Sequence, residues 1–183
     1  MAINLQKGQT INLEKDRFDL SSVTVGLGWD VKARQGGLLS PLFGGNRKGD
    51  DYDLDAIAFM LDANGKVANL GDRKLVGGDV IFFNNVHHRS GNVYHTGDNL
   101  TGEGEGDDEQ IILKLNQLDP CYDKIVILVS IYKGIQRGQD FGQVENAFIR
   151  AVDARGNEML RYDLSKDEQF DKKCSMIFGE FYR

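Results

Sequence analysis

The sequence has 183 residues, with 22 lysines and arginines against 28 aspartates and glutamates, which gives a formal net charge of -6. A chain of this length favours one domain and can bury a sizeable core without disulfides. The acidic balance and the lack of a basic stripe with interleaved aromatic residues argue against a nucleic-acid partner. The longest apolar run, 125–132, is far shorter than the roughly 18 residues of a membrane span, so we expect no direct membrane insertion.

Short runs of β-branched and aromatic residues recur along the chain, separated by Gly, Asn and Asp. This pattern predicts an all-β protein, a two-sheet β-sandwich with long acidic metal-binding loops and at most short helices. Weak helical periodicity is confined to 116–122 and 165–173, and Asn64-Gly65 predicts a turn after the second strand. The predicted strands lie near 22–29, 54–61, 79–84, 111–115, 124–133, 146–153, 158–163 and 175–182.

The acidic loop, residues 98–109, is the strongest chemical signal in the chain. Its twelve residues hold six carboxylates, three glycines and no basic residue. Such charges repel one another, so the loop needs either full solvation or a cation. An all-oxygen donor set without Cys or His favours calcium, then magnesium or manganese, and disfavours zinc and copper. A solvated acidic loop without a ligand is the alternative.

A second acidic cluster precedes the apolar run that begins at Ala56. Because side chains of a strand alternate between its faces, Asp53 and Asp55 are expected on one side, together with Ile57. Two ionised carboxylates there need compensation, which a cation at the rim of the sheet would supply. Asp30, at the end of another apolar run, is a further candidate from a neighbouring strand. The alternative is that these aspartates only shape the turns where strands begin.

Seven segments together resemble the TerD family of bacterial tellurium-resistance and stress proteins, and the resemblance spans nearly the whole chain. The stretch from His95 to Glu109 is the most specific part. The other segments are Gly26-Leu27-Gly28-Trp29-Asp30, Tyr52-Asp53-Leu54-Asp55-Ala56, Phe83-Asn84-Asn85, the run Phe141 to Val144, Asn146-Ala147-Phe148-Ile149-Arg150 and Phe178-Gly179-Glu180.

This resemblance implies a cytoplasmic, calcium-binding β-sandwich without a firmly attached catalytic activity. It also makes the chain a single TerD-like domain over 1–183 with two departures from the family pattern. An extended Gly-rich loop at about 32–50 is longer than usual, and it either folds back onto the domain or offers an apolar tip to a partner. The second departure is at Phe181-Tyr182-Arg183, where relatives usually continue with a Trp-containing final strand; the alternatives are a naturally shorter member and a trimmed sequence.

We expect Ca²⁺, with two ions, as the metal. The expected ligands combine carboxylates with an amide and with backbone carbonyls of the acidic loop: Asp30, Asp53, Asp55, Asp98, Asn99, Leu100, Gly102, Gly104, Asp107, Asp108 and Glu109. His95, three residues before Asp98, is expected to shape the start of the loop through a hydrogen bond. Arg137, Arg150 and Arg155 are interpreted as scattered surface charges in preference to an anion pocket, and His87 and His88 as residues of a turn.

The leading hypothesis for function is a calcium-loaded, non-enzymatic scaffold or sensor that acts through protein contacts. Its expected partners are other tellurium-resistance or stress proteins, and attachment at the inner face of the membrane through a membrane partner is left open. Direct detoxification is disfavoured, because the acidic loop repels the tellurite oxyanion and Cys121 and Cys174 form no dithiol motif. The alternatives are a metal-dependent phosphohydrolase or phosphoryl-transfer enzyme, and a small-molecule module of the cyclic-nucleotide type.

Overall fold

The computed structural model describes residues 3–13, 16–31, 52–102, 106–164 and 170–183. The predicted extended loop at about 32–50 and Gly104 lie outside these residues. Within them the chain forms ten strands and one short helix. In chain order these are β1 (Ile3–Asn4), β2 (Val23–Val31), β3 (Leu54–Leu61), β4 (Val80–Ile81), β5 (Val93–His95), β6 (Glu109–Leu113), β7 (Lys124–Ile131), α1 (Gly134–Arg137), β8 (Val144–Val152), β9 (Glu158–Asp163) and β10 (Ser175–Tyr182).

The strands form two sheets, which confirms the predicted all-β, two-sheet architecture. One sheet has six strands in the order β1-β9-β8-β2-β6-β5, and the other has four in the order β10-β7-β3-β4. All pairings are antiparallel except that of β1 with β9. Among the described residues, no helix has the length and hydropathy needed to cross a bilayer.

Alternation along the strands decides which side chains face the core. On β3, Leu54, Ala56, Ala58 and Met60 are at most 1% exposed and belong to one apolar cluster. The intervening Asp55, like its neighbours Ile57 and Phe59, therefore points to the other face of the sheet. Each fully buried Leu or Ile contributes about 1.5–3 kcal/mol, so the inward positions fix the register of the sheet.

The predicted strand positions agree closely where the apolar runs are long. The bounds of β3 and β10 match the predicted 54–61 and 175–182, whereas the run near 79–84 yields only the two residues of β4. The strands β1 and β5 were not predicted, because two or three residues carry too little alternation to be recognised. The predicted helical tendency at 116–122 appears as a single 3-10 turn, Leu115–Gln117.

The connection from β3 to β5 begins with the predicted turn. Gly65 has a φ of +72°, and the Asp62 amide donates to the Lys66 carbonyl at 2.9 Å. Further along, His88 does more than occupy a turn. Its Nε2 lies 3.2 Å from Asp79 Oδ1, and the Tyr122 hydroxyl donates to the same oxygen at 3.1 Å. All three side chains are buried, so this network ties the connection to the chain just before β7.

Candidate functional site

Three aspartates from two distant parts of the chain meet at the start of β3. Asp53 and Asp55 come from the β3 end of the four-stranded sheet, and Asp98 opens the acidic loop. One carboxylate oxygen of each lies within 4.8 Å of the others. Asp53 and Asp55 are only 7% and 4% exposed, whereas Asp98 is exposed. This three-aspartate cluster is therefore open to solvent on the Asp98 side and closed on the β3 side.

The Asp53 carboxylate is the least satisfied group of the cluster. Its Oδ1 is buried and has no hydrogen-bond partner among the described residues. The backbone of the same residue is satisfied, because the Tyr132 amide donates to the Asp53 carbonyl at 2.8 Å. Leaving a buried acceptor without a partner costs about 1–3 kcal/mol, and more when the group is charged. The fold thus contains a buried carboxylate oxygen that a bound cation would stabilise.

The electrostatics of the cluster show the same deficit of positive charge. Burial raises the pKa of Asp55 to about 8, and the charges of Glu109, Asp53 and Asp98 add to this effect. Burial and the Asp98 charge also raise the pKa of Asp53, and the nearby Arg137 only partly opposes them. Without a cation, Asp55 therefore holds a proton at a pH where a free aspartate would be ionised.

Glu109, the last residue of the acidic loop and the first of β6, closes the cluster from the core side. It is 1% exposed, and its Oε2 accepts a hydrogen bond from the Ala56 amide at 2.8 Å. The Met60 amide of the same strand bonds to Asp79, next to β4. Alternate amides of a strand point to one edge, so Ala56 faces the edge of β3 that the two-residue β4 does not reach. The Glu109 carboxylate replaces the missing strand there.

His95 holds the other side of Glu109. Its Nε2 lies 3.3 Å from Glu109 Oε2, and the Gly97 amide donates to its Nδ1 at 3.1 Å. Since Nδ1 accepts, Nε2 carries the proton and donates to the carboxylate. The predicted hydrogen bond of His95 at the start of the loop is therefore present, and its partners are Glu109 and Gly97. Burial raises the pKa of Glu109, while the hydrogen bonds that its carboxylate accepts from His95 and Ala56 lower it.

Asn99 organises the turn that follows Asp98. Its Oδ1 accepts from the amides of Thr101 and Gly102, both at 3.1 Å, and its Nδ2 donates to Asp108 Oδ1 at 3.0 Å. The Asn99 backbone amide also points at Glu109 Oε1, at 3.4 Å. This side chain thus connects the two ends of the acidic loop, with Asp98 at the head of the turn.

The far end of the loop is clamped onto β2. The Trp29 amide donates to Asp108 Oδ2 at 2.9 Å, and the Asp108 amide donates to the Leu27 carbonyl at 2.8 Å. Burial raises the pKa of Asp108, and the charges of Asp30 and Asp107 contribute. Gly102 packs so closely that a Cβ there would lie 2.4 Å from Trp29 Nε1. The loop therefore follows β2 at contact distance.

Asp107 lies on the outer face of the six-stranded sheet. A Cβ on Gly26 would come within 2.2 Å of Asp107 Cγ, so only glycine leaves room for this carboxylate. Arg150 Nε donates to Asp107 Oδ1 at 2.8 Å, and Gln110 Nε2 donates to Asp107 Oδ2 at 3.1 Å. The Arg150 guanidinium also contacts Glu158, at 3.2 Å. Arg150 is thus a structural partner of the acidic loop, a role that sequence reasoning missed.

The remaining predicted ligands are placed as follows. Asp30 is exposed, and its Oδ2 accepts from Asn146 Nδ2 at 2.8 Å. Leu100 is exposed, with 57% of its surface accessible. The predicted set therefore divides into two groups. Asp53, Asp55 and Asp98 converge, with Glu109 and Asn99 beside them, whereas Asp30, Asp107 and Asp108 lie along β2. Gly104 lies outside the described residues.

The donor set of the three-aspartate cluster fits a hard cation. It supplies carboxylate oxygens, one of them buried without a hydrogen bond, and an exposed side through which water oxygens can complete the shell. Calcium accepts six to eight oxygens in tolerant geometry, whereas magnesium demands a near-ideal octahedron. The site could be held by Asp53, Asp55 and Asp98, with charge from Glu109 nearby.

Fold and site define a two-sheet β-protein with an acidic, oxygen-only cluster at one end of the smaller sheet. A family model described as the TerD domain matches residues 1–183. Tellurium resistance protein TerX of Serratia marcescens is 53% identical, over 100% of this chain and 87% of its own length. Stress response protein SCP2 of Bacillus subtilis (strain 168) is 46% identical, over 100% of this chain and 86% of its own length. The chain belongs to the TerD family.

Solved structures agree on the fold. A homologue of telluride resistance protein TerD from Streptomyces coelicolor A3(2) superposes with a TM-score of 0.60 at 20% identity, covering 89% of this chain and 81% of that one. A protein of unknown function superposes with a TM-score of 0.63 at 23% identity and the same coverage. At this identity the likeness supports the architecture alone.

Proposed function

We propose that this protein is a calcium-binding, non-enzymatic scaffold or sensor of the cytoplasmic tellurium-resistance and stress response. In this account the ion binds at the three-aspartate cluster, orders the acidic loop against β3 and creates a contact surface for other tellurium-resistance or stress proteins. One observation carries the proposal. The buried Asp53 Oδ1 has no hydrogen-bond partner among the described residues, and one carboxylate oxygen of Asp53 lies within 4.8 Å of oxygens of Asp55 and Asp98.

The switch follows from where the ligands lie in the chain. Asp53 and Asp55 lie at the start of a strand, whereas Asp98 belongs to a loop that the rest of the fold holds through Asp107, Asp108 and Glu109. Repulsion among the carboxylates opposes their approach to one another. A bound divalent ion attracts each of them and so holds them together. Calcium at a hundred times its Kd would add about 2.7 kcal/mol of stability by mass action.

The family names support the biological setting. The relatives are named for tellurium resistance in Serratia marcescens and for stress response in Bacillus subtilis. Calcium binding, partner contacts and the second ion that the sequence predicts are our proposals. A second ion would fall in the Asp30 and Asp108 group, because the Asp30 charge lies close enough to Asp108 to help raise the pKa of its carboxyl.

The test is a calorimetric titration of chelator-treated protein with calcium and, in parallel, with magnesium. We expect calcium to bind more tightly than magnesium, and Asp53→Asn/Asp98→Asn to lower the calcium affinity at least a hundredfold, since two charged ligands are lost. Asp123→Asn is the matched control. It removes an exposed carboxylate at the far end of β7, where Lys124 pairs with Leu61. No calcium heat in the unmodified protein, or equal loss in the control, would overturn the proposal.

A further inference from the structure

We propose that the calcium-loaded cluster docks this protein peripherally onto an anionic phospholipid surface. The inference rests on the proposed calcium site and names the partner of that site. The docking surface consists of the exposed side chains that flank the cluster: Leu100, Lys133, Ile135 and Arg137.

The apolar part of this surface is unusually exposed. Ile135 is 83% and Leu100 is 57% accessible, and both are among the few large apolar side chains that the described fold leaves in solvent. Leu100 follows Asp98 by two residues, so it stands beside the cluster. Ile135 lies on α1, which begins three residues after Ile131, the partner of Leu54 at the start of β3. Both therefore project from the same end of the smaller sheet.

The basic part of the surface lies at the same end. Arg137 and Lys133 both stack over the Tyr132 ring, with their charged groups 5.6 and 5.0 Å from its centre. Tyr132 is itself hydrogen-bonded to the Asp53 backbone. Two exposed cations thus stand beside the cluster, and a bound calcium would offset two of its carboxylate charges.

Charge complementarity selects an anionic partner, and it makes docking depend on calcium. The free cluster is negative and repels phosphate groups, whereas a bound calcium would offset this charge and could take phosphate oxygens as ligands. Lys and Arg near an anionic bilayer gain attraction to its headgroups, and exposed Leu and Ile side chains can enter the headgroup layer without a spanning segment.

The shape of the surface favours a lipid layer over an acidic protein segment. Leu100 and Ile135 project into solvent with more than half of their surfaces accessible, so they are points for insertion more than walls of a groove. An extended peptide gains affinity and specificity from a groove. A fluid lipid surface needs only projecting apolar and basic side chains around the ion.

The experiment is vesicle co-sedimentation of the full chain under calcium that calorimetry has shown to be saturating. Vesicles of phosphatidylcholine mixed with phosphatidylserine are compared with pure phosphatidylcholine, each with calcium, with magnesium and with chelator. We expect binding only to the mixed vesicles with calcium. Leu100→Ser/Ile135→Ser should weaken it about tenfold, whereas Ile177→Ser, which alters an equally exposed side chain on β10, should leave it unchanged.

Arg137→Gln separates lipid docking from ion binding. Because the Arg137 charge opposes a cation at Asp53, its removal should leave calcium affinity unchanged or raise it. Lipid binding should fall about fivefold. Lys66→Gln, which removes an exposed cation beyond the other end of β3, is the control. Calcium binding without vesicle binding, equal binding to both lipid compositions, or binding to poly-glutamate alone would overturn the lipid inference and leave the calcium site standing. An absence of calcium binding would remove both.

Discussion

Two buried aspartates of this protein have opposite surroundings. Asp153, in the turn between β8 and β9, is 3% exposed, and its carboxylate accepts from the amides of Asn157 at 2.8 Å, Arg155 at 3.0 Å and Asp19 at 3.2 Å. Asp53, at the start of β3, is 7% exposed, and its Oδ1 has no hydrogen-bond partner in the described part of the chain. The carboxylate of Asp153 thus accepts several hydrogen bonds, whereas one oxygen of Asp53 accepts none from the described residues.

Burial of a carboxylate alone therefore does not indicate a metal site. Burial favours the neutral form of Asp153, yet hydrogen bonds from Asn157, Asp19 and Arg155 reverse this and lower its pKa below the usual range. At Asp53 burial is reinforced by Asp98, and its pKa rises. The informative feature is a buried acceptor with like charges around it in place of donors.

The largest expected contrast comes from substitutions at these two positions in calcium-free protein. Asp153→Ala leaves several buried amides without an acceptor and should lower the free energy of unfolding by about 2–4 kcal/mol. Asp53→Asn removes a repelled charge, and its new amide can donate to Asp55 or Asp98. We therefore expect the free energy of unfolding to stay within about 0.5 kcal/mol of the parent or to rise.

Urea denaturation in chelator measures both values. With saturating calcium, Asp53→Asn should have a lower free energy of unfolding than the parent, because the variant lacks the stabilisation that the ion gives the parent. A calcium-free Asp53→Asn protein that loses as much stability as Asp153→Ala would show that Asp53 has an unrecognised structural partner.

The pH dependence of stability sharpens the same contrast. Asp55 has a pKa of about 8 in the folded protein against about 4 in the unfolded chain. Between these values the folded state binds more protons, so the stability of the calcium-free protein should fall as pH rises from about 4 to 8. Asp153 acts in the opposite sense and only below pH 4 or so, because its pKa is lowered.

Unfolding midpoints measured from pH 5 to 9, with and without calcium, test this expectation. The calcium-free midpoint should decline toward pH 8, and calcium should flatten the decline, since the ion replaces the proton at Asp55. In Asp55→Asn the decline should shrink. A calcium-free midpoint that rises steadily across this range would contradict the assignment of the raised pKa to Asp55.

A smaller effect is expected at the clamp between the acidic loop and the six-stranded sheet. Arg150→Gln deprives Asp107, whose side chain is 3% exposed, of its ion-pair partner, and it should cost about 1–3 kcal/mol and weaken calcium binding several-fold. Arg161→Gln is the control on the same face. It breaks a pair with Asp163 in which both side chains are about one-third exposed, and it should cost less than about 1 kcal/mol. Equal costs for the two variants would argue against a clamping role for Arg150.

The fold could be predicted where long alternating runs dictate it. In β3 and β10 eight consecutive residues carry the pattern, and the predicted bounds agree with the structure. The two-residue β4 could not be predicted from the apolar run near 79–84, because the chain turns back at Phe82, whose amide and carbonyl both bond to Asn85. Such a turn depends on tertiary contacts more than on local propensity.

The candidate site could be predicted in part for the same reason. Alternation places Asp53 and Asp55 on one side of a strand, and the acidic loop is recognisable from its composition. The sequence does not show that Asp107 turns away toward Arg150, because that pairing joins residues 43 positions apart. Nor does it show that Glu109 meets the edge of β3, which depends on how early β4 ends. Such contacts are set by sheet order, which composition does not encode.

The most direct measurement is a crystal structure of the calcium-soaked protein with anomalous data that identify the ion. The account predicts calcium at about 2.3–2.6 Å from Asp53 Oδ1, with oxygens of Asp55 and Asp98 in the same shell. Soaked crystals in which Asp53 Oδ1 contacts no ion, while calcium occupies only the Asp30 and Asp108 group or binds nowhere, would contradict it.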